Sequence, residues 1–362
     1  MTARVYNFNP GPAILPLPVL NEIQRDLLDF AGTGMSILEV SHRSKEYEAV
    51  HLETEASLKE LLGLGDDYRV LFLGGGASLQ FAMVPLNFLP TGATADYILT
   101  GSWSEKAYEE AGRIGRVHIA ASSKDTNYDR IPHPDEIRLS PNPAYVHITS
   151  NNTIYGTQWA SLPSFGEIPL VADMSSDILS RRFDATKFAL IYAGAQKNLG
   201  PAGVTVVIIR RDMLEKVPSH LPVMLRYDIH AKNNSLYNTP PAFAVYTVML
   251  VLRWVKSQGG IAAIEARNKE KAALVYAAID ESGGFYRGHA RPEARSLMNV
   301  TFRLPSEELE KAFLAEAKAA GLVGLKGHRS VGGLRASIYN AMPGEGCRVL
   351  AEFMRDFARR NG

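Results

Sequence analysis

A single lysine stands among small residues in the run Gly194-Ala195-Gln196-Lys197-Asn198-Leu199-Gly200-Pro201-Ala202-Gly203. So little side-chain bulk lets a ligand come close to the amine. A lysine desolvated in such a place has a lowered pKa and can condense with an aldehyde to a Schiff base. On the decapeptide alone, a surface lysine in a Gly-rich turn is an equal reading. Upstream, Pro169-Leu170-Val171-Ala172-Asp173 reads as a strand that ends on a carboxylate. At the carboxyl end of a parallel strand such a group points into the ligand crevice. Standing alone it reads better as a helix cap or turn residue. Beside a Schiff-base lysine it gains a specific task, because a carboxylate against a pyridinium nitrogen keeps that nitrogen protonated.

A third piece follows the run Val70-Leu71-Phe72-Leu73, which passes directly into Gly74-Gly75-Gly76-Ala77-Ser78 and then a helical stretch. Glycines let backbone approach a phosphate, and a helix N-terminus supplies free N–H groups and a favourable dipole. No Gly-Lys-Ser/Thr follows, so a nucleotide-triphosphate loop is excluded. Lysine, aspartate and glycine loop together match the aldehyde, ring nitrogen and phosphate of pyridoxal 5′-phosphate. Trp103, in Thr100-Gly101-Ser102-Trp103-Ser104, follows another strand end, where an indole can stack on a pyridine ring. Five cationic or potentially cationic residues remain in two short motifs: His42, Arg43, His328, Arg329 and Arg335. Taken singly, each reads better as a solvated side chain. As a set they exceed what one amino acid needs, since an Arg can grip one carboxylate bidentately and the rest suit a doubly charged group such as a phosphate.

These residues must be positioned by buried strands. Val70 to Leu73, Asp96 to Thr100, Ala144 to Thr149, Pro169 to Asp173, Leu190 to Gly194 and Val204 to Ile209 are short, β-branched and bounded by turn residues. Helical patterns alternate with them, as in parallel α/β sheets. Leu20, Ile23, Leu27 and Phe30 fall on one helix face, and Glu46 to Leu62 carries a second apolar stripe. Ile261 to Glu281 reads as a long helix that could connect two units. Beyond it, Leu297 to Leu304 and Leu334 to Ile338 read as strands, with helices over Ser306 to Ala320 and about Glu345 to Arg360. Ser306 is the expected N-cap of the former, without a full capping box because Leu309 holds the third position. The expected fold is α/β, a large domain with a mainly parallel central sheet flanked by helices plus a smaller α+β domain. The expected boundaries are 16–256 for the large domain, with 1–15 and 257–362 forming the small one.

Composition narrows the function classes. In 362 residues, 39 Lys+Arg face 38 Asp+Glu, a formal net charge of +1. A broad nucleic-acid or anionic-membrane surface would need clustered positive charge. No apolar run reaches the roughly 18 residues of a membrane span. One cysteine, Cys347, cannot form an internal disulfide, and the opening residues Met1 to Pro12 lack the pattern of a secretory signal. A cytoplasmic protein is expected, with no metal, nucleic-acid or membrane partner.

The chain resembles the phosphoserine aminotransferase family of class V, fold type I pyridoxal-phosphate enzymes. The likeness runs in family order through Asn9 to Ala13, Ser41-His42-Arg43-Ser44, Gly74 to Ser78, Gly101 to Ser104, Asn151-Asn152-Thr153, Val171 to Asp177, Gly194 to Gly203, Asn233 to Pro241 and Gly327 to Ser337. It implies that Lys197 carries the cofactor and moves the proton, Asp173 pairs with the ring nitrogen and Trp103 stacks on the ring. Thr153 would lie near the phenolic oxygen, with Gly76, Ala77, Ser78 and Gln196 about the phosphate. Asn238 and Thr239 would reach that phosphate from the second subunit of a homodimer with shared sites. Arg335 would clamp the substrate α-carboxylate, while His42, Arg43, His328 and Arg329 surround the substrate phosphate.

The implied reaction converts L-glutamate and 3-phosphohydroxypyruvate to 2-oxoglutarate and O-phospho-L-serine, in serine biosynthesis, and the same chemistry would serve pyridoxine biosynthesis. Competing readings are another class V aminotransferase of the serine or alanine to glyoxylate type, and a non-catalytic ligand-binding protein of this fold. A cysteine desulfurase needs a nucleophilic Cys on a mobile loop, whereas Cys347 lies in an apparent helix.

Overall fold

The computed structural model describes residues 4–362. Its central sheet has seven strands: β1 (Tyr68–Leu73), β2 (Thr94–Leu99), β3 (Arg116–Ser122), β4 (Val146–Thr149), β5 (Leu170–Asp173), β6 (Leu190–Gly194) and β7 (Thr205–Arg210). They lie in the order β1-β7-β6-β5-β4-β2-β3. Strands β4 and β5 are buried along their whole length, as a sheet covered on both faces requires. Neighbours pair in parallel except at β7, which is antiparallel to both β1 and β6. The chain leaves β6 at Gly194 and enters β7 at Thr205. That gap is too short for a parallel crossover, which takes about a dozen residues or more. The lysine loop is therefore the turn between two antiparallel strands.

Among the described residues, helices of ten residues or more flank these strands or continue beyond them: α1 (Leu17–Asp26), α2 (Lys45–Leu62), α3 (Gly76–Phe88), α4 (Ser102–Gly112), α5 (Ala242–Ser257), α6 (Gly260–Asp280), α7 (Glu307–Ala319) and α8 (Gly344–Asn361). Ser44 caps α2 by accepting the Tyr47 N–H at 3.3 Å, and Ser306 caps α7 by accepting the Leu309 N–H at 3.3 Å. Helix α1 is shorter than its apolar spacing suggests. Leu27 caps it, and Phe30 belongs to a turn in which its N–H reaches the Met35 carbonyl at 2.8 Å.

Two cores cover the faces of the sheet. One packs Val50, Leu58, Val248 and Val251 against Ile148 and Ala172, and the other packs Phe81, Val84 and Ala107 against Leu71, Tyr97 and Tyr192. A third core gathers Phe8, Ile14, Phe313, Leu350 and Met354 around the antiparallel strands β8 (Asn299–Arg303) and β9 (Leu334–Ser337). Helix α6 serves two of these cores, giving Ile261 and Ile264 to the first and Ala272 and Val275 to the third.

Where α6 passes between them, buried Lys271 donates to the carbonyls of Ile338 at 2.9 Å, Tyr339 at 2.7 Å and Met342 at 3.1 Å. Those bonds satisfy an ammonium that would be costly to bury alone. Desolvation still pushes its pKa down to about 8. The loop so held reaches the edge of the sheet that carries the lysine loop. Tyr339 donates its hydroxyl to the Pro10 carbonyl at 2.6 Å, and the Asn340 N–H donates to Asn198 Oδ1 at 3.0 Å, one residue from Lys197.

Candidate active site

Five segments arrive at one edge of the sheet because β1, β2, β4, β5 and β6 all run the same way. They deliver the Gly74–Gly76 turn, Trp103, Thr153, Asp173 and Lys197 to the wall of a single cavity of about 220 Å³. The turn into α3 requires glycine. Gly75 has φ +85°, and a Cβ there would stand 2.5 Å from Leu79 Cδ2. The first bond of α3 runs from the Leu79 N–H to the Gly75 carbonyl at 3.3 Å. The amides of Ala77 and Ser78 precede it and lie at the positive end of the helix. Both residues, with Gly76 and Gln196, line the cavity. Gly194 closes the approach from the other side, since a Cβ on it would lie 3.9 Å from the Ala77 nitrogen.

Asp173 is 5% exposed. Its Oδ1 accepts the Ser175 N–H at 2.9 Å, and the Ser175 hydroxyl in turn accepts the Gly194 N–H at 3.0 Å. Burial raises the carboxyl pKa against the lowering effect of these bonds and of Lys197, so the group calls for a cationic partner in the cavity. Desolvation pushes the Lys197 amine down to about 8, with Asp173 opposing and Arg335 reinforcing the shift. Its Nζ donates to the Thr153 hydroxyl at 2.8 Å. Behind the lysine lies the N-terminal segment: the Ala13 N–H donates to the Gln196 carbonyl at 2.8 Å.

Thr153 ties two functional groups together. Its hydroxyl holds Lys197, while its carbonyl accepts Arg335 Nη1 at 3.1 Å. Arg335 is 5% exposed, and no carboxylate pairs with it among the described residues. Desolvation lowers its pKa. A buried guanidinium without an anion is costly unless a ligand supplies one. Arg335 and His328 also line a second cavity, of about 460 Å³, that begins one residue past Thr153 at Ile154. His328 is half-buried with Nδ1 2.6 Å from the Ser330 hydroxyl, and burial together with Arg335, Arg329 and Lys106 lowers its pKa. Arg329 is exposed beside it.

Five expected residues line neither cavity within one chain. Arg43, Arg329, Asn238 and Thr239 are exposed, and His42 is half-buried with Nε2 unpartnered. Asn238 Nδ2 donates only to the Thr239 carbonyl, at 3.2 Å. Two further contributors escaped the reading of the sequence. Ser175 has a local signal, its place two residues after an Asp, where an Asx-turn forms. Lys106 stands three residues after Trp103, on the same helix face, with Nζ 4.6 Å from the indole centroid. Cys347 is fully buried in α8, and desolvation pushes its thiol up to about 12, so it is no nucleophile.

With this geometry in place, comparison with known proteins gives a consistent result. The family model for Aminotransferase class-V matches residues 5–350. A phosphoserine aminotransferase of Herpetosiphon aurantiacus is 63% identical, over 99% of this chain and 99% of its own. Among solved structures, phosphoserine aminotransferase from Bacillus circulans subsp. alkalophilus superposes with a TM-score of 0.98 at 58% identity, covering 99% of both chains. A PLP-bound phosphoserine aminotransferase from Trichomonas vaginalis superposes at 0.92 and 40% identity, covering 97% of this chain and 100% of its own.

Proposed function

The chain belongs to the Aminotransferase class-V family, and from that premise we propose that it is a phosphoserine aminotransferase. It moves an amino group from L-glutamate to 3-phosphohydroxypyruvate, giving 2-oxoglutarate and O-phospho-L-serine. The observation that carries this reading is the junction at Thr153. There an amine able to form a Schiff base and a buried arginine lacking an anion are held by one residue, with Asp173 in the same cavity.

The cofactor is pyridoxal 5′-phosphate, and the cavity fits it. Asp173, Lys197, Ala77 and Ser78 line it together, so Asp173 would pair with the ring nitrogen, the helix-N-terminal amides of Ala77 and Ser78 would hold the phosphate, and Lys197 would bind the aldehyde. When bound, the cofactor supplies an electron sink for the carbanion formed at the substrate α-carbon.

The protein residues do the rest. Lys197, whose amine desolvation brings down to about 8, would hold the cofactor through its aldehyde and is the base placed to take the substrate α-proton and give it back. Thr153 orients its Nζ at 2.8 Å. Arg335 grips the α-carboxylate and so presents the Cα–H bond to the lysine. Trp103, in the wall of the same cavity, would stack on the ring, and His328 and Arg329 would take the substrate phosphate or the glutamate side-chain carboxylate. The same residues would bind both substrates in turn at one site.

We propose further that the protein works in the cytoplasm as a homodimer, organised as a 16–256 unit and a unit of 1–15 with 257–362. His42, Arg43, Asn238 and Thr239 then complete the site of the other chain. That none of them lines a cavity of its own chain supports this, as does exposed apolar surface at Leu28 (84%) and Leu38 (62%). The activity is tested by the visible spectrum of the holoenzyme. Glutamate should bleach the cofactor band and 3-phosphohydroxypyruvate should restore it. Absence of bleaching would leave only a binding protein, and faster restoration by glyoxylate would replace the proposed acceptor.

A further inference from the structure

Helix α4 begins beside the site and carries Trp103 and Lys106 on one face. The Lys106 ammonium lies 4.6 Å from the centroid of the indole, and the Lys197 ammonium lies 5.9 Å from the same centroid. One aromatic ring thus links the reacting amine to a second cation. Lys106 forms no ion pair among the described residues, although the adjacent Glu105 pairs with Lys124 at 2.7 Å. Its closest company is positive. Arg335, Arg329 and Lys106 all act on His328, which stands in the wall of the second cavity. Glu307 and Glu310 line the same cavity, Glu310 being 3.9 Å from Arg303, but no carboxylate pairs with Arg335, Arg329 or Lys106 among the described residues, and an anion between these cations would relieve their mutual repulsion. Lys106 is exposed, so its ammonium, resting on the indole, keeps N–H donors available to a ligand.

We infer that Lys106 is a further substrate-binding residue, which places its ammonium on the phosphate of the phosphorylated oxo acid and so favours that acceptor over unphosphorylated ones. The inference rests on the aminotransferase reading above. It assigns the large sheet's side of the site a direct part in substrate choice, alongside the His328-Arg329 loop.

The test compares Lys106→Met and Lys106→Arg holoenzymes with the parent, using 3-phosphohydroxypyruvate and pyruvate as acceptors and inorganic phosphate as competitive inhibitor. Loss of one charge-assisted contact should raise KM for the phosphorylated acceptor and Ki for phosphate by about tenfold or more. The turnover number and the pyruvate reaction should change less than about twofold, and arginine should restore most of the loss. An equal loss on both acceptors, or no change in Ki for phosphate, overturns the role of Lys106. If the parent enzyme itself shows no preference for the phosphorylated acceptor, the proposed substrate fails. The phosphate Ki then decides Lys106 on its own.

Discussion

Around Lys197 the groups nearest the amine are held in place: Thr153 holds the amine, Ser175 Asp173, Asn340 Asn198 and Ala13 the Gln196 carbonyl. At the rim the pattern is the reverse. Arg43, Arg329, Asn238 and Thr239 are exposed, and Arg335, although buried, has a carbonyl where an anion belongs. The floor is finished within one chain because it must present a fixed geometry to a cofactor that stays. An open rim suits a site at which two substrates of different length exchange.

The largest effect should come from the floor. Replacing Lys197 by Ala removes both the Schiff-base amine and the proton carrier, so turnover should fall at least about 10⁴-fold. Far-UV circular dichroism should be unchanged, since a loop lysine adds little to the core. Near-normal activity in this variant, without added amine, would remove the lysine from the mechanism. Asp173→Asn should be the next most severe change. The amide keeps the size of the side chain but not its charge, so cofactor stays bound while each half-reaction slows by roughly 10²-fold or more. Stopped-flow measurement of α-proton removal decides it, and an unchanged rate would make Asp173 a structural residue only.

The same contrast governs how much could be read from the residues alone. The floor follows strand ends, and buried strands announce themselves as short β-branched runs, so Asp173, Lys197 and the Gly74–Gly76 turn were legible in order. Strand β3 was not, because it is a sheet edge with Arg116 and Ile119 exposed, and its composition carries no clear alternation. The direction of β7 depends on the length of the Gly194–Thr205 connection rather than on any side chain. The double role of Thr153 required knowing that Arg335, far along the chain, folds back onto its carbonyl. Lys106 was hidden for a simpler reason: on a polar helix face it reads as solvated.

A milder probe asks how dry the floor is. Desolvation lowers the Lys197 amine to about 8, and only the neutral amine attacks an aldehyde. Because the pKa of a base is lowered, the reactive form is reached at lower pH. Capture of pyridoxal 5′-phosphate by the apoenzyme should therefore rise about tenfold between pH 7 and 9 and then level off. An exposed lysine, with a pKa near 10.4, would gain about a hundredfold over the same span and keep climbing. Absorbance at the Schiff-base band distinguishes the two profiles.

The smallest expected signal bears most directly on the rim. Let Lys197→Ala be one lesion and a bulky inactivating substitution at Thr239 the other, each homodimer being inactive. If every site takes Lys197 from one chain and Thr239 from its partner, a mixed dimer has one site carrying both lesions and one carrying neither. Random reassortment makes half of the dimers mixed, so activity should return to roughly a quarter of the parent value. If each site were built within one chain, every site in every dimer would carry one lesion, and mixing would restore nothing. Subunit exchange must be verified independently, for instance with differently tagged chains. Recovery near a quarter would then place the exposed Asn238-Thr239 segment in the neighbouring site and account for its absence from the cavity walls of its own chain. No recovery with exchange complete would mean that the rim closes by movement within the chain.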